Sequence, residues 1–286
     1  MRMAKLLKGA PVSAALDQKT AERAAALRAR GVIPTLAILR LGERSDDLSY
    51  ERGAAKRCGQ TGIEVKHIVL PSDVDSGVFF QTLDQLNEDP AIHGILMFRP
   101  LPPHLDEDTA RRRLRPEKDV DGCTDGSLAG VFTNTKRGFP PCTARAAMEI
   151  LRYYGIDPAG KRAVVIGRSL VVGRPAAMML MHGGATVTIC HTKTPDVPQI
   201  AREAEILLAA SGQMESVGAA YLQAGQTVID VGIAWNPSKE KLCGDVRFEE
   251  AEPMVDAITP VPGGVGSVTT SVLAAHVAEA AERAAE

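Results

Sequence analysis

Tyr50 sits in the stretch SYERGAAKRC, residues 49–58, a run of small and charged residues that reads as one helix. A tyrosine in such company is a candidate to line a site. To act in proton transfer it needs a partner on its own face, and on a helix that partner lies four residues on, about 400° around the axis. The residue there is Ala54. Lys56, the nearby cation, falls some 240° from Tyr50 and is expected to face water or a neighbouring loop. The stretch is either a catalytic helix with its lysine missing or an ordinary surface helix.

A second stretch, VVIGRSLVVGRP at 164–175, carries a different chemistry. An apolar strand runs straight into Gly167, then Ser169 and Gly173, and on into a helix rich in Ala and Met. Glycines at such a turn let the backbone approach a ligand, and the helix N-terminus offers free N–H groups to a phosphate. The spacing is not G-x-G-x-x-G, so the next strand has to add to the case. That strand, ATVTIC, ends in HTKT: His191, Thr192 and Lys193 carry no negative charge, and Arg168 adds a cation. An acidic residue there would hold a ribose 2′-hydroxyl, whereas cations and hydroxyls accept a 2′-phosphate, so NADP is the expected cofactor.

The elements that hold these residues alternate. A helix over APVSAALDQKTAERAAALRARG ends at Gly31, and PTLAILRLG is a buried strand between Pro34 and Gly42. The Tyr50 helix follows, then a strand (EVKHIVLP), a helix (DSGVFFQTLDQLNED) and a buried strand (IHGILMFRPLP). This order predicts a parallel sheet with right-handed crossovers. The stretch from Pro116 to Thr143 reads as a long polar loop, dense in Gly, Pro and Asp, of the kind that is often functional. A second α/β unit follows, from the helix TARAAMEILRYYGI through the strands KRAVVIG, ATVTICH, EILLAAS and TVIDVGIAW, with a last helix over TTSVLAAHVAEAAERAAE.

Composition sets the outer bounds. A chain of 286 residues, 45% apolar and 24% charged with a formal charge of −2, is an ordinary globular protein with no global pull toward nucleic acid or anionic membrane. The basic run RRRLRPEK, 111–118, reads as a solvated face. Five scattered cysteines with no C-x-x-C pair, and six histidines with no ligand cluster, predict no metal site and a reducing, cytoplasmic setting. No apolar run approaches ~20 residues, so no membrane span is expected.

Taken together, KDVDG (118–122), PPCTARA (140–146), GRSLVVGRP (167–175), ATVTICHTKT (185–194), VIDVGI (228–233), GDV (244–246) and ITPVPGGVG (258–266) give the chain a close resemblance to the bifunctional methylenetetrahydrofolate dehydrogenase/cyclohydrolase family. The resemblance implies two α/β domains with a cleft between them. One is a substrate domain over 1–137 plus 269–286, the other a Rossmann-type NADP-binding domain over 138–268 that forms a homodimer. It implies oxidation of 5,10-methylenetetrahydrofolate by NADP, then hydrolysis of the methenyl product. Gly167, Arg168, Ser169, Val172, Gly173, His191, Thr192, Ile233 and Thr269 fall on its cofactor side. Tyr50, Phe98, Pro100, Leu101, Asp121, Pro262, Gly263 and Gly264 fall on its substrate side, with Asp121 meeting the pterin ring and Tyr50 and Asp121 as the catalytic pair.

Five positions depart from that pattern. The family's lysine, four residues after the tyrosine, is Ala54, and the glutamine that hydrogen-bonds that lysine is Phe98, with Arg99 beside it in MFRPLP. Near the C-terminus Ser267 and Val268 replace Pro-Met. Hydride transfer requires the substrate methylene held against the nicotinamide and no side-chain proton, whereas hydrolysis of the methenyl cation needs water activated and protons managed. An NADP-dependent methylenetetrahydrofolate dehydrogenase with weak or lost cyclohydrolase activity is therefore expected. A dehydrogenase for a different one-carbon adduct, with Phe98, Arg99, Ser267 and Val268 remodelling the substrate side, and a non-catalytic folate- or NADP-binding protein are the alternatives.

Overall fold

The computed structural model describes residues 3–286. The chain divides into two compact units, one of residues 14–142 and 270–286, the other of residues 1–13 and 143–269. Residues 3–13 thus go with the second unit, apart from the rest of the expected 1–137 segment. The reason is β1 (Lys5–Leu6), which pairs in parallel with the late strand Ala257–Ile258.

The first unit is built on α1 (Gly9–Ala29), β2 (Thr35–Leu41), α2 (Ser45–Gln60), β3 (Glu64–Leu70), α3 (Ser76–Glu88) and β4 (Gly94–Met97). Its three strands run parallel in the order β3-β2-β4. The chain leaves the central β2 to one side through α2 and returns to its other side through α3. The carboxyl ends of β2 and β4 therefore form a switch point, where open α/β sheets present their crevice. One face of β2, with Ala37, Leu39 and Leu41, packs against Phe79, Leu83 and Leu86 of α3. α2 starts with Asp46 and Asp47 and ends with Arg57, matching its dipole, and α3 is capped by Asp75, which accepts from the Gly77 and Val78 amides.

The expected long loop from Pro116 to Thr143 contains α5 (Asp125–Thr133), preceded by α4 (Glu107–Arg113). Thr124 caps α5 by accepting from the Ser127 amide, a local signal that the Gly and Pro content of the stretch masked. The basic run is a paired surface, as expected for a solvated face. Arg111 meets Asp108 and Asp125, Arg113 meets Asp84, and Arg115 meets Glu88.

The second unit follows with α6 (Cys142–Tyr153), β5 (Arg162–Ile166), α7 (Gly173–His182), β6 (Thr186–Cys190), α8 (Val197–Arg202), β7 (Ile206–Ala209) and β8 (Thr227–Asp230). The expected strand TVIDVGIAW breaks after Asp230. Its second half, β9 (Ala234–Asn236), forms an antiparallel hairpin with β10 (Lys241–Cys243). After α9 (Phe248–Ala251), β11 (Ala257–Ile258) completes a six-stranded parallel sheet in the order β1-β11-β8-β7-β5-β6, and α10 (Thr269–Ala284) closes the chain. Here β5 and β7 flank the switch point. All five cysteines are free and buried, and no helix among the described residues is long and apolar enough to cross a membrane.

Candidate active site

In the first unit, the site residues gather around the ends of β2 and β4. Tyr50, on α2, meets Phe98 edge-on, with ring centroids 6.0 Å apart and planes at 84°. Phe98 is placed by its own amide, which donates to the Leu39 carbonyl of β2. Ala54 is fully buried and Lys56 is exposed, so the cation two residues on does not take the vacant place beside the tyrosine. Pro100 is held through its carbonyl, which accepts from Arg44 at 3.1 Å. Leu101 is a core residue, packed with Leu105, Ala110 and Cys123, and its amide donates to Glu107.

The KDVDG motif explains itself once its contacts are seen. Lys118 anchors the loop by donating to the Leu86 and Asp89 carbonyls. Asp119 is fully buried and accepts from the Cys123 amide, the Thr124 amide and the Ser127 hydroxyl, which winds the loop into the start of α5. Asp121 is left with no such set of amide donors. It keeps a partial opening to solvent amid dense protein surroundings. Burial pushes its carboxyl up to about 6, and the negative charge of Asp119 adds to the rise. Arg99 and a hydrogen bond from the Cys142 thiol pull the other way. Cys142 and His276 both contact the Val120 carbonyl, at 3.3 and 2.9 Å, so the residue before Asp121 is pinned from two sides. Neither Cys142 nor Asp119 stood out in the sequence as part of a site, because the contacts that give them a role are tertiary.

In the second unit, the glycine turn lies at the β5/β7 switch point. Gly167 has φ +124°, and a Cβ there would stand 2.1 Å from the Ala210 carbonyl oxygen at the end of β7. Gly173 packs as closely, its would-be Cβ 2.2 Å from the Gly167 carbonyl. Ser169 turns its hydroxyl back to accept from the Val172 and Gly173 amides at the start of α7. At the end of β6, His191 accepts from the Lys193 amide and its own amide donates to Thr194. Arg168, Thr192 and Lys193 are exposed, and neither cation is in an ion pair among the described residues. Ile233 is 60% exposed just past β8. Asp230 and Asp245 fix that region. Asp230 accepts from the Gly232, Asp245 and Val246 amides, and burial raises it to about 7 against those donors. Asp245 accepts from Ser211 and Gly212.

Around the PVPGGVG loop, Gly263 has φ +97° and Gly264 leaves no space for a side chain, the Pro260 carbonyl lying 2.5 Å from the place of its Cβ. Pro262 and Gly263 are exposed. Ser267 donates to the Gly264 carbonyl, Val268 is fully buried, and Thr269 donates to the Gly266 carbonyl. Ser267 and Val268 thus belong to the local packing of the PVPGGVG loop. No cluster of metal ligands occurs among the described residues.

Family models match on both sides of this arrangement. Residues 7–121 match the tetrahydrofolate dehydrogenase/cyclohydrolase catalytic domain, and residues 141–285 match the NAD(P)-binding domain of the same family. The chain belongs to the tetrahydrofolate dehydrogenase/cyclohydrolase family. It is 50% identical over 281 residues, 98% of each chain, to the bifunctional protein FolD of Carboxydothermus hydrogenoformans. Among solved structures it resembles the bifunctional FolD of Campylobacter jejuni, with a TM-score of 0.94 at 35% identity over 98% of this chain and 99% of that one. It also resembles the FolD of Trypanosoma brucei solved with NADP and an inhibitor, with a TM-score of 0.93 at 35% identity over 100% of both. Within the tetrahydrofolate dehydrogenase/cyclohydrolase family, then, the glycine turn and its exposed cations lie in the NAD(P)-binding domain, and Tyr50, Phe98 and Asp121 in the catalytic domain.

Proposed function

We propose that the protein is an NADP-dependent 5,10-methylenetetrahydrofolate dehydrogenase whose cyclohydrolase activity is weak or lost. The observation that carries this reading is the apolar surface beside Tyr50, where Phe98 lies edge-on to the tyrosine and Ala54 is buried one turn along. NADP supplies the hydride acceptor. The oxidation leaves the folate nitrogen lone pair to expel the hydride from the methylene carbon, so the chain has to bind and orient but not to move a proton. Asp121 is the acceptor for the donor-rich edge of the pterin, and above pH 6 it is ionised and fit for that task. Hydrolysis of the methenyl product, by contrast, needs a polar group to handle water's protons, and an aromatic ring with an alanine offers none.

The cofactor choice rests on Arg168, Thr192 and Lys193, exposed at the turn and at the end of β6, where the HTKT stretch carries no carboxylate to repel a 2′-phosphate. The tight packing at Gly167 and Gly173 fits a turn whose backbone approaches a phosphate. A dehydrogenase for a different one-carbon adduct is the second reading, favoured by Phe98 against Tyr50 and by Arg99, whose charge acts on Asp121.

The test is one reaction followed two ways. With methylenetetrahydrofolate and NADP, NADPH should form and methenyltetrahydrofolate should accumulate, decaying no faster than in buffer. Rapid loss of the methenyl compound would overturn the hydrolytic half of the proposal, and no NADPH would overturn the whole.

A further inference from the structure

The strand β2 reads TLAILRL and is buried along its whole length, yet it contains an arginine. Arg40 is 7% exposed, and its Nε lies 2.6 Å from Oε2 of Glu51, itself 6% exposed and the residue directly after Tyr50 on α2. The other oxygen, Oε1, lies 2.5 Å from Nδ1 of His67 on β3. The Arg40 guanidinium also donates to the carbonyl of Gly42, the left-handed residue (φ +67°) where β2 turns toward α2. One carboxylate thus ties the helix to two strands, and one guanidinium ties the helix to its own approach.

Such a pair is an expensive way to hold two elements together. Buried charges give up their hydration, and an apolar pair of similar volume often holds a fold as well or better. What ionic hydrogen bonds add is direction, since they fix distance and angle where greasy contacts tolerate sliding. The need for direction is visible in the sequence of α2. The turn after Glu51 is Arg-Gly-Ala-Ala, with Gly53 exposed and Ala54 the only buried member, so few side-chain atoms there set the rotation of the helix. A rotation of α2 moves Tyr50 directly. A misplacement of about 1 Å in a positioned group can cost on the order of 100-fold in rate.

We propose that Arg40 and Glu51, with His67 as the outer member, are positioning residues for Tyr50. They set the rotation of α2 in place of side-chain bulk. The proposal rests on the dehydrogenase reading for its kinetic part and on geometry alone for its structural part, and the experiment separates the two.

The variant to test is Arg40→Leu with Glu51→Leu, which removes both charges and leaves neither orphaned. In protein labelled with 13C in the tyrosine rings, the Tyr50 signal, assigned by its loss in Tyr50→Phe, should shift or broaden in the double variant. NADP affinity should stay at the wild-type value. The kcat for NADPH formation should fall about tenfold while KM for methylenetetrahydrofolate changes less than about threefold, the signature of lost orientation rather than lost binding. Glu51→Gln keeps the shape and an acceptor oxygen for Arg40 but removes the carboxylate charge, so in folded protein it should fall between wild type and double variant, and it is the variant to read if the double variant does not fold. An unmoved Tyr50 signal overturns the proposal, and so does a wild-type kcat in a folded variant. If the wild type itself makes no NADPH, the proposed function falls, while a shifted Tyr50 signal still upholds the positioning role.

Discussion

Tyr50 and Phe98 meet edge to face at 6.0 Å, one from α2 and the other from the chain just past β4. The contact joins two segments of the β2/β4 switch point, which Arg44 also links through the Pro100 carbonyl. If that apolar wall is what suppresses hydrolysis, Ala54→Lys combined with Phe98→Gln should give measurable cyclohydrolase activity, read as faster loss of methenyltetrahydrofolate. Each change alone should give less. An unsupported lysine samples many rotamers, and at a fully buried site its insertion costs about 1–3 kcal/mol of overpacking. No gain in the double variant at wild-type folding would count against the wall as the cause.

Asp121 should make activity and stability respond oppositely to pH. Its folded carboxyl titrates at about 6, raised from the ordinary 3.8 by burial first and by Asp119 second. A raised acid binds its proton more tightly when folded. The penalty for ionising it is absent below about pH 4, grows between pH 4 and 6, and is fully present above 6, where it amounts to roughly 3 kcal/mol. Folate binding, which uses the ionised form, should instead fail as the pH drops through 6. Asp121→Asn should raise the unfolding temperature at pH 7.5 and flatten the pH dependence of KM for folate while raising that KM. A variant less stable than wild type at pH 7.5 would contradict this.

Arg168→Ala should weaken NADP by roughly tenfold, about 1.4 kcal/mol, and leave NAD nearly unaffected. The measurement is the ratio of the two dissociation constants. Equal losses would mean that Arg168 does not read the 2′-phosphate.

Gly167→Ala should lose cofactor binding and stability together. At φ +124° with a carbonyl 2.1 Å from the new Cβ, the turn has to open. Thermal unfolding with and without NADP checks it: the wild type should gain stability with the cofactor and the variant should not.

Much of this was open to reading in the chain because parallel α/β units repeat a pattern. Apolar runs between Gly and Pro gave the long strands, and β2 with its neighbours falls where PTLAILRLG and its successors placed them. What escaped were elements too short to carry a period, such as β1, β10 and β11, the break that parts β9 from β8, and the helix α5, whose start depends on the cap at Thr124 and on the side chain of Asp119. In the site, Tyr50, Phe98 and Asp121 gather in the first unit and the glycine turn in the second, while Leu101 packs with Leu105 and Ala110. The Arg40–Glu51–His67 set draws on three elements separated by up to 27 residues, and only one hint of it is visible in one dimension, an arginine inside an apolar strand.

The burial of every thiol has a practical consequence. Cys58 lies one turn beyond Ala54 on α2, Cys123 follows Asp121 by two residues and the Cys142 thiol donates to it, Cys190 ends β6 and Cys243 ends β10. A native molecule should resist thiol reagents at all five, so each modification event marks a moment when its own segment has opened. Mapped by mass, the rates at these five positions form a set of built-in clocks for breathing near each site, with no label introduced by mutation.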